Sequence, residues 1–582
     1  MYPATIFNWH DMSEIIVPQE NNTVDNAPLF LQVFSADKGT EELIEISGND
    51  FNKMYGTMNF SKHGQAAIQA QNIINNGGRL FAKRVVAPDS TLANLVLVAN
   101  VSGSDGQATV KWTSQSISGC KSFTEVKAAA LDLLDADNGV FPVFIHADNG
   151  RCASKKAIRL NPDYATSKTI GKTFYTLVVY EGSTILEQLT MTVDPTVVYS
   201  NNAYRYDEFS TVQITGEVND TVYEAYVAKL SEIMGVDADT LRNYDLVYGY
   251  TYAGAALEGF TIDPDSIDLD VDLGIGLAEG DNGSFGDAPV GTEAWEEAIC
   301  DVFNGNFSNE IYDVDAHKIA VICDANYPIS VKNAIFDLVT FREDCVFLRD
   351  FGTGLTTYLE IKSYYNQFED KRNRYVADYC TSYAILDPVS KKNIEVTMMY
   401  DMAGLLVNHL ANNAFAPMAG TYNGFILSNA IKGTINFTPI NTPSVNQKEA
   451  MEDIRVNYAI FEDNNCVVQS NYTSQDKYTQ LSYLCNVVAI QVVLRAVRTA
   501  CPRQRYSLST GTDLTSYAEA VNRVLQNFSS NFSVLEFVYT EDKLKAVQKI
   551  FYASIQFAFL NWAQTEIFDI YAINDWDMGS NA

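Results

Sequence analysis

Two glycine-containing stretches of the sequence could bind phosphate groups, but neither has the spacing that this chemistry needs. Residues 171–173 (GKT) end like a phosphate-binding loop, yet such a loop requires a glycine at the position held by Thr166. A second stretch has glycines in an order similar to a dinucleotide-binding turn, but with different spacing and acidic neighbours: Gly274, Gly276 and Gly280. We therefore predict no cofactor.

Four acidic residues have part of the pattern of a calcium-binding loop. Asp268, Asp270, Asp272 and Glu279 match its first, third, fifth and twelfth positions, but the sixth position, which requires glycine, is Leu273. The alternation of acidic and apolar residues here favours a strand with an acidic outer face. Calcium binding stays open as the less favoured alternative.

Candidate catalytic groups are few and scattered. No two histidines have the spacing of an H-x-x-x-H metal pair, and no G-x-S-x-G nucleophile motif is present. The histidines are His10, His63, His146, His317 and His409. The nine cysteines include no C-x-x-C pair, which indicates reduced thiols in a protein made in a cytoplasm. We predict no catalytic or metal site, although distant residues could still converge in an enzyme with a dispersed site.

The chain is strongly acidic. Its 582 residues include 40 Lys+Arg and 72 Asp+Glu, which gives a formal net charge of −32 at pH 7. This charge repels nucleic acids and anionic membranes, so neither is an expected partner. The most apolar stretch, residues 484–497, is interrupted by Gln491 and Arg495 and is too short to span a bilayer, and residues 1–22 lack the basic residues of a signal peptide.

The few basic residues form two notable clusters, which are either solvated faces or contacts for an acidic partner. The first comprises Lys371, Arg372 and Arg374, and the second Arg495, Arg498, Arg503 and Arg505.

Hydrophobic periodicity predicts an α/β core that is interrupted by a β-rich insertion. The predicted core strands are residues 29–34, 80–86, 319–323, 345–348 and 383–386, and the predicted core helices are 64–76, 293–303, 329–339 and 355–365. Toward the C-terminus we predict helices at 477–500 and 513–528 and strands at 534–539, 550–558 and 566–573. The fold class is thus α/β and α+β, in several domains with extended terminal arms.

These elements suggest six regions along the chain. They are an N-terminal arm (1–26), the first part of the core (27–91), inserted β-rich outer domains (92–261), an acidic linker with a Gly-rich loop (262–290), the α/β core with a C-terminal domain (291–565) and a C-terminal strand arm (566–582).

Four stretches together resemble the tail sheath proteins of contractile bacteriophages and related injection systems. They are residues 27–39 (APLFLQVFSADKG), residues 64–86 ending INNGGRLFAKRVV, residues 277–299 beginning LAEGDNGSFGD and leading into 292–348, and residues 532–573 ending FLNWAQTEIFDIYAI. Glu279 stands where the family commonly has glycine, and the family's A-R-T-L stretch is not evident near residues 466–474.

The resemblance implies a structural subunit, not an enzyme, that polymerises helically around an inner tail tube and contracts to drive the tube through the host envelope. It implies partners in further copies of the chain, the tube protein, and the baseplate and tail terminator proteins. The location would be the virion tail, assembled in the bacterial cytoplasm. The alternatives are another self-assembling virion component, such as a capsid or baseplate protein, and the enzyme with a dispersed site.

The resemblance also gives the termini a role, because sheath arms add strands to sheets of neighbouring subunits. The expected inter-subunit residues are Ile6, Phe7, Trp9, Ile15, Ile16 and Val17 at the N-terminus and Ile567, Phe568, Ile570, Tyr571 and Ile573 at the C-terminus. The candidates for contact with the tube are Arg495, Arg498, Arg503 and Arg505.

Overall fold

The computed structural model describes most of the chain. The described residues are 29–48, 50–133, 140–147, 156–194, 212–214, 216–251, 254–304, 310–314, 316–462, 464–500, 511–539 and 553–560. Among them, no helix is both long enough and apolar enough to cross a membrane.

The described residues form a mixture of strands and helices. The strands are β1 (Leu29–Ser35), β2 (Ile44–Ile46), β3 (Arg79–Val85), β4 (Asn94–Ser104), β5 (Gln107–Gln115), β6 (Val140–Ala147), β7 (Lys156–Pro162), β8 (Tyr175–Glu181), β9 (Thr184–Met191), β10 (Val212–Ile214), β11 (Tyr244–Asp245), β12 (Tyr250–Thr251), β13 (Phe260–Ile262), β14 (Ile275–Gly276), β15 (Val321–Cys323), β16 (Val346–Asp350), β17 (Val376–Tyr379), β18 (Ser382–Leu386), β19 (Asn393–Thr397), β20 (Asn441–Thr442), β21 (Val445–Asn446), β22 (Val456–Asn457), β23 (Ala459–Glu462), β24 (Asn465–Val468), β25 (Phe532–Tyr539) and β26 (Ala553–Phe559). The α-helices are α1 (Asp50–Tyr55), α2 (Phe60–Asn75), α3 (Phe123–Asp132), α4 (Tyr164–Ile170), α5 (Gly216–Met234), α6 (Ala238–Leu241), α7 (Glu293–Phe303), α8 (Ile329–Arg342), α9 (Tyr358–Asn366), α10 (Met399–Asn412), α11 (Gln447–Asp453), α12 (Leu484–Ala500) and α13 (Gly511–Gln526).

A seven-stranded sheet lies at the centre of the core. Its strand order is β2-β3-β1-β15-β16-β17-β22, and every neighbouring pair is parallel except β2–β3. All seven residues of β1 are buried, as in a strand that is covered on both faces. From β1 the chain goes to β3 on one side and later to β15 on the other, so the strand order reverses beside β1. The expected α/β core is confirmed.

One predicted core strand is wrong. Residues 382–386 (β18) form an antiparallel hairpin with β19, and the strand that continues the core sheet is β17. The sequence pattern does not predict β17, because this buried strand contains the charged residue Asp378. Arg349 of β16 lies opposite Asp378, with Nε 2.6 Å from Oδ1, and this ion pair allows a charged residue in a buried strand.

Helix α2 packs against α10 through small residues. A Cβ atom on Gly404 of α10 would lie 2.7 Å from Nδ2 of Asn76, so glycine lets the two helices approach closely. Just beyond α2, Gly77 has a φ of 82°, the left-handed conformation with which helices commonly end. The range of α2 includes a kink at Gly64, whose φ of 72° is not helical, so the continuous part of the helix begins just after Gly64 and the predicted helix 64–76 is present.

The β-rich insertion has a hydrophobic core of its own. Five strands in the order β10-β6-β4-β5-β13 and four in the order β14-β7-β8-β9 form its two main sheets, and α5 packs against β4 and β6. Its buried residues include Leu97, Val110, Leu177 and Leu230. This core extends into the acidic segment, since Leu277 belongs to it as well.

The acidic segment does not form the strand with an acidic face that its alternation favours. Residues 268–273 lie mostly in turns, and Leu273 has a φ of 66°. Leu269 is buried, its carbonyl accepts a hydrogen bond from Leu160 N at 2.9 Å, and Arg159 Nε lies 3.2 Å from Oδ1 of Asp270. Contacts with β7 therefore override the period-two pattern.

Two antiparallel segments join the insertion to the core, and they are bonded to each other. Thr91 N donates to Asp281 O at 3.0 Å. Nearby, Oδ1 of Asp89 accepts hydrogen bonds from the backbone N and the Oγ of Ser284, both at 2.8 Å. Gly283, with a φ of 60°, fits this contact because a Cβ there would lie 2.4 Å from that same Oδ1.

Candidate assembly interface

The carboxyl edge of the core sheet, where α/β proteins usually bind ligands, is occupied by buried charges of the chain itself. Asp324 follows β15 and Asp350 ends β16. Lys332 of α8 places Nζ 3.0 Å from Oδ2 of Asp324 and 2.6 Å from Oδ1 of Asp350, and all three side chains are buried. Burial and the neighbouring Asp350 carboxylate raise the pKa of Asp324 to about 7.

Polar side chains from other elements complete this cluster. Thr397 Oγ1 donates to Oδ2 of Asp350 at 2.8 Å and accepts from Nε2 of Gln65 at 2.7 Å. Gln69 Nε2 donates to the carbonyl of Asp324 at 2.9 Å. Because these groups satisfy one another inside the core, they form a structural network at the ends of β15 and β16.

The sequence motifs that resemble ligand sites have structural roles. Gly171, with a φ of 74°, ends helix α4, whereas the glycines of a phosphate loop precede a helix. Asp270 and Asp272 both face Arg159. Among the described residues, no group of three His, Cys, Asp or Glu side chains could hold a metal ion.

The described histidines have separate partners. His63 Nε2 lies 3.2 Å from Oδ1 of Asp37, and His317 Nε2 lies 3.7 Å from Oε2 of Glu310. His409 faces the carbonyl of Ala416, and burial lowers its pKa to about 4. The structure does not describe His10 or the side chain of His146. The described histidines thus form no catalytic group with one another.

The residues expected to pair between subunits lie outside the described part of the chain, and so do Arg503 and Arg505. This applies to all six N-terminal and all five C-terminal arm residues named above. Their role therefore stays a prediction.

Arg495 and Arg498 lie near the C-terminal end of α12, around one carboxylate. Arg495 Nη1 donates to the carbonyl of Asp344 at 3.2 Å, and Arg498 Nη1 lies 3.6 Å from its Oδ2. Arg342 Nε lies 3.0 Å from Oδ1 of the same residue. Burial lowers the pKa of Arg495 to about 10. The Arg498 side chain is 53% exposed, so part of it can reach another molecule.

A C-terminal hairpin is the described element that best fits strand addition. β25 and β26 pair antiparallel, with Leu535 opposite Phe557, and within the described residues each pairs only with the other. Phe532 and Phe559 are buried in a cluster with residues of α12 and α13. The outer edges of such a hairpin present backbone N–H and C=O groups that a further strand can bind.

Comparisons with known proteins bear on the fold. No protein-family model matches the sequence, and a search of curated proteins finds no significant match. Among solved structures, the sheath tail protein Lin1278 from Listeria innocua aligns with 93% of this chain and 98% of its own, at a TM-score of 0.50 and 8% identity. The chain has the tail sheath fold.

Other solved sheath structures are similar as well. The sheath tail protein DSY3957 from Desulfitobacterium hafniense aligns with 92% of this chain and 97% of its own, with a TM-score of 0.45 and 8% identity. The contracted sheath of the extracellular contractile injection system PVC aligns with 49% of this chain and 81% of its own, with a TM-score of 0.36 and 12% identity.

Several features of this sheath fold were missed from sequence alone. The Lys332 cluster joins residues that are up to 332 positions apart, such as Gln65 and Thr397, and Lys332 lies in a helix, where a lone lysine usually faces solvent. One signal was present: an aspartate directly follows or ends each of two buried strands. The hairpin strands were predicted, but their position on α12 and α13 was not.

Proposed function

We propose that the chain is the structural subunit of a contractile phage tail sheath, which polymerises around an inner tube and contracts to drive the tube through the host envelope. The sheath fold, which spans 93% of the chain in the alignment with Lin1278, is the observation that carries the proposal. The buried network of mutually satisfied groups at the ends of β15 and β16 also favours a structural role over an enzyme.

In a helical assembly, each copy binds one neighbour through one of its surfaces and the other neighbour through a different surface. Such heterologous contacts between identical subunits give helices when they do not close into rings. In our proposal, the N-terminal residues Ile6–Val17 and the C-terminal residues Glu566–Ile573 of neighbouring copies add strands to the two outer edges of the β25–β26 hairpin. The buried Phe532 and Phe559 support this, because they fix the hairpin to the helices, and within the described residues neither strand pairs with a third strand.

The inner tube is the proposed partner of the basic residues near the end of α12. Arg498 is the strongest of these candidates, since its side chain is 53% exposed. Its Nη1 lies 3.6 Å from the carboxylate of Asp344, which Arg342 binds more closely at 3.0 Å. Arg495 bonds to the chain's own backbone, so its contribution would be to position this region. The baseplate and tail terminator proteins are the further proposed partners, and the virion tail, assembled in the bacterial cytoplasm, is the proposed location.

Negative-stain microscopy of the purified chain tests the proposal. We expect tubes or stacked rings at high protein concentration. Closed shells would indicate a capsid protein, isolated discs a baseplate component, and monomers at every concentration would contradict a self-assembling role.

A pair of truncations tests the C-terminal arm. Removal of residues 566–582 should leave folded chains that do not form tubes. The matched control removes only residues 574–582, which keeps the predicted strand and should preserve assembly. Equal assembly by both variants would show that the arm is not the connecting element.

A further inference from the structure

Two chain segments cross between the core and the insertion, and the hydrophobic cluster changes along both of them. On the way out, Ala87 belongs to the cluster of the core and Leu92 to that of the insertion. On the way back, Leu277 belongs to the insertion's cluster and Phe285 to the core's. Units that do not share a hydrophobic core are expected to move relative to each other. Such a movement would pivot at residues 88–91 and 278–284.

An ion pair links the two units a second time. Lys38 follows β1 in the core, and its Nζ lies 3.3 Å from Oε2 of Glu181, the last residue of β8 in the insertion. The Lys38 side chain is 23% exposed, so it is largely covered. Because the two partners belong to different units, the pair forms only when the insertion has this orientation on the core.

The core presents Lys38 on a loop whose backbone is held on both sides of this residue. Arg84 Nε and Nη1 donate to the carbonyls of Ala36 and Gly39 at 2.9 and 2.8 Å. Gly39 has a φ of 107°, and a Cβ there would lie 2.4 Å from Cδ1 of the buried Tyr55, so the loop lies directly against this ring. The anchored loop cannot follow the insertion, and a movement of the insertion therefore breaks the ion pair.

The hydrogen bonds at the crossing have a different effect from the ion pair. Thr91 N donates to Asp281 O, and Ser284 N donates to Oδ1 of Asp89, so these bonds connect the two crossing segments to each other. They keep the segments together as one hinge. The angle between the two units is left to contacts away from the hinge, such as the ion pair of Lys38.

We propose that the Lys38–Glu181 ion pair is an electrostatic latch between the core and the insertion. While it is closed, it holds the tip of the β8–β9 hairpin on the core. When it is broken, the insertion pivots about residues 88–91 and 278–284. An exposed ion pair of this kind changes an equilibrium by about fivefold or less and is screened by salt, so the latch can open without unfolding either unit.

Pulsed electron paramagnetic resonance on the dissolved full chain, with one spin label in each unit, tests the proposal. Labels carried by noncanonical residues at the exposed positions Gln188 and Gln367 avoid the native cysteines. We expect one narrow distance distribution at low ionic strength, which broadens as salt is added. Lys38→Glu should raise the population at other distances at least about twofold, because the ion pair is lost and two like charges then face each other. The charge swap Lys38→Glu/Glu181→Lys should restore the narrow distribution.

Lys229→Glu is the matched control. Lys229 Nζ also lies 3.3 Å from a carboxylate oxygen, that of Glu232, but both residues belong to α5 within the insertion. This variant should keep the distance distribution of the unmodified chain.

Three results would overturn the proposal: an unchanged distribution in Lys38→Glu, failure of the charge swap to restore the narrow distribution, or equal broadening in Lys229→Glu. The charge swap also separates latch opening from misfolding, because a second reversed charge would not repair a misfolded chain. Since the measurement uses dissolved chains, its outcome is independent of whether the chain assembles into tubes.

Discussion

Replacement of Lys332 by methionine should destabilise the core strongly. The substitution roughly preserves side-chain length but removes a cation that lies within 3.0 Å of both Asp324 and Asp350. Breaking a buried ion pair in this way typically costs about 3–5 kcal/mol. Since each 1.4 kcal/mol is a factor of ten, local opening of β15 and β16 should become roughly two to nearly four orders of magnitude more frequent.

The effect should depend on pH in a defined direction. Burial and Asp350 already raise the pKa of Asp324 to about 7, above the value near 3.9 expected for an unfolded chain. A carboxyl whose pKa is higher in the folded state favours folding when it is protonated, and this stability is lost as the pH rises from about 4 to 7. Loss of Lys332 raises that pKa further, so the variant's deficit should be largest above pH 7 and smaller at pH 5.

Hydrogen exchange measured by mass spectrometry on peptides from residues 319–350 reports this local opening directly. The matched control is Lys362→Met, the same change at an exposed position of α9, which should leave exchange unchanged. The double variant Lys332→Met/Asp324→Asn should recover part of the loss, because one buried carboxylate becomes neutral. Less than a tenfold increase in exchange for Lys332→Met, or a deficit that grows toward pH 5, would refute this account of the cluster.

Three further outcomes follow from the packing. Phe532→Ala should destabilise the hairpin by about 3–5 kcal/mol, because removal of a buried aromatic ring leaves a cavity. We expect faster hydrogen exchange in residues 532–559 and fewer tubes. Unchanged exchange would contradict the packing of β25 on the helices. Gly283→Ala should lower the free energy of unfolding by more than about 1 kcal/mol, because alanine at a φ of 60° is strained and its Cβ would displace Asp89. A Tm equal to that of the unmodified chain would show that the junction tolerates the change. Addition of EDTA should leave the Tm unchanged, since Arg159 faces Asp270 and Asp272, two of the candidate calcium ligands. A fall in Tm would favour calcium binding at this segment.

Local sequence patterns predicted some elements to the residue. Helix α7 was predicted at 293–303 and spans those residues, because its start is marked by Thr292, whose side chain accepts a hydrogen bond from Trp295 N at 3.3 Å. Its buried residues also recur at helical spacing. Helix α12, in contrast, begins at Leu484 and not at residue 477, since Thr479 caps a short 3-10 turn, Gln480–Ser482, before it.

Features that depend on distant partners could not be predicted in the same way. β17 was not predicted as a strand, because the charged Asp378 can be buried there only when Arg349, 29 residues away, pairs with it. The acidic segment kept the period-two pattern of a strand, yet Arg159 and the buried Leu269 hold it in turns. The candidate assembly hairpin was predicted as strands, whereas its place on α12 and α13 depends on the hydrophobic cluster that Phe532 shares with residues such as Val521.

The paired crossing between core and insertion makes the insertion exchangeable. Thr91 N and Asp281 O are 3.0 Å apart, so the chain leaves the core and comes back at almost the same point. A tight turn could therefore replace the intervening residues, and a foreign module with adjacent termini could be grafted there while the central sheet keeps its strand order. On an assembled particle, every copy would then display that graft at regular intervals.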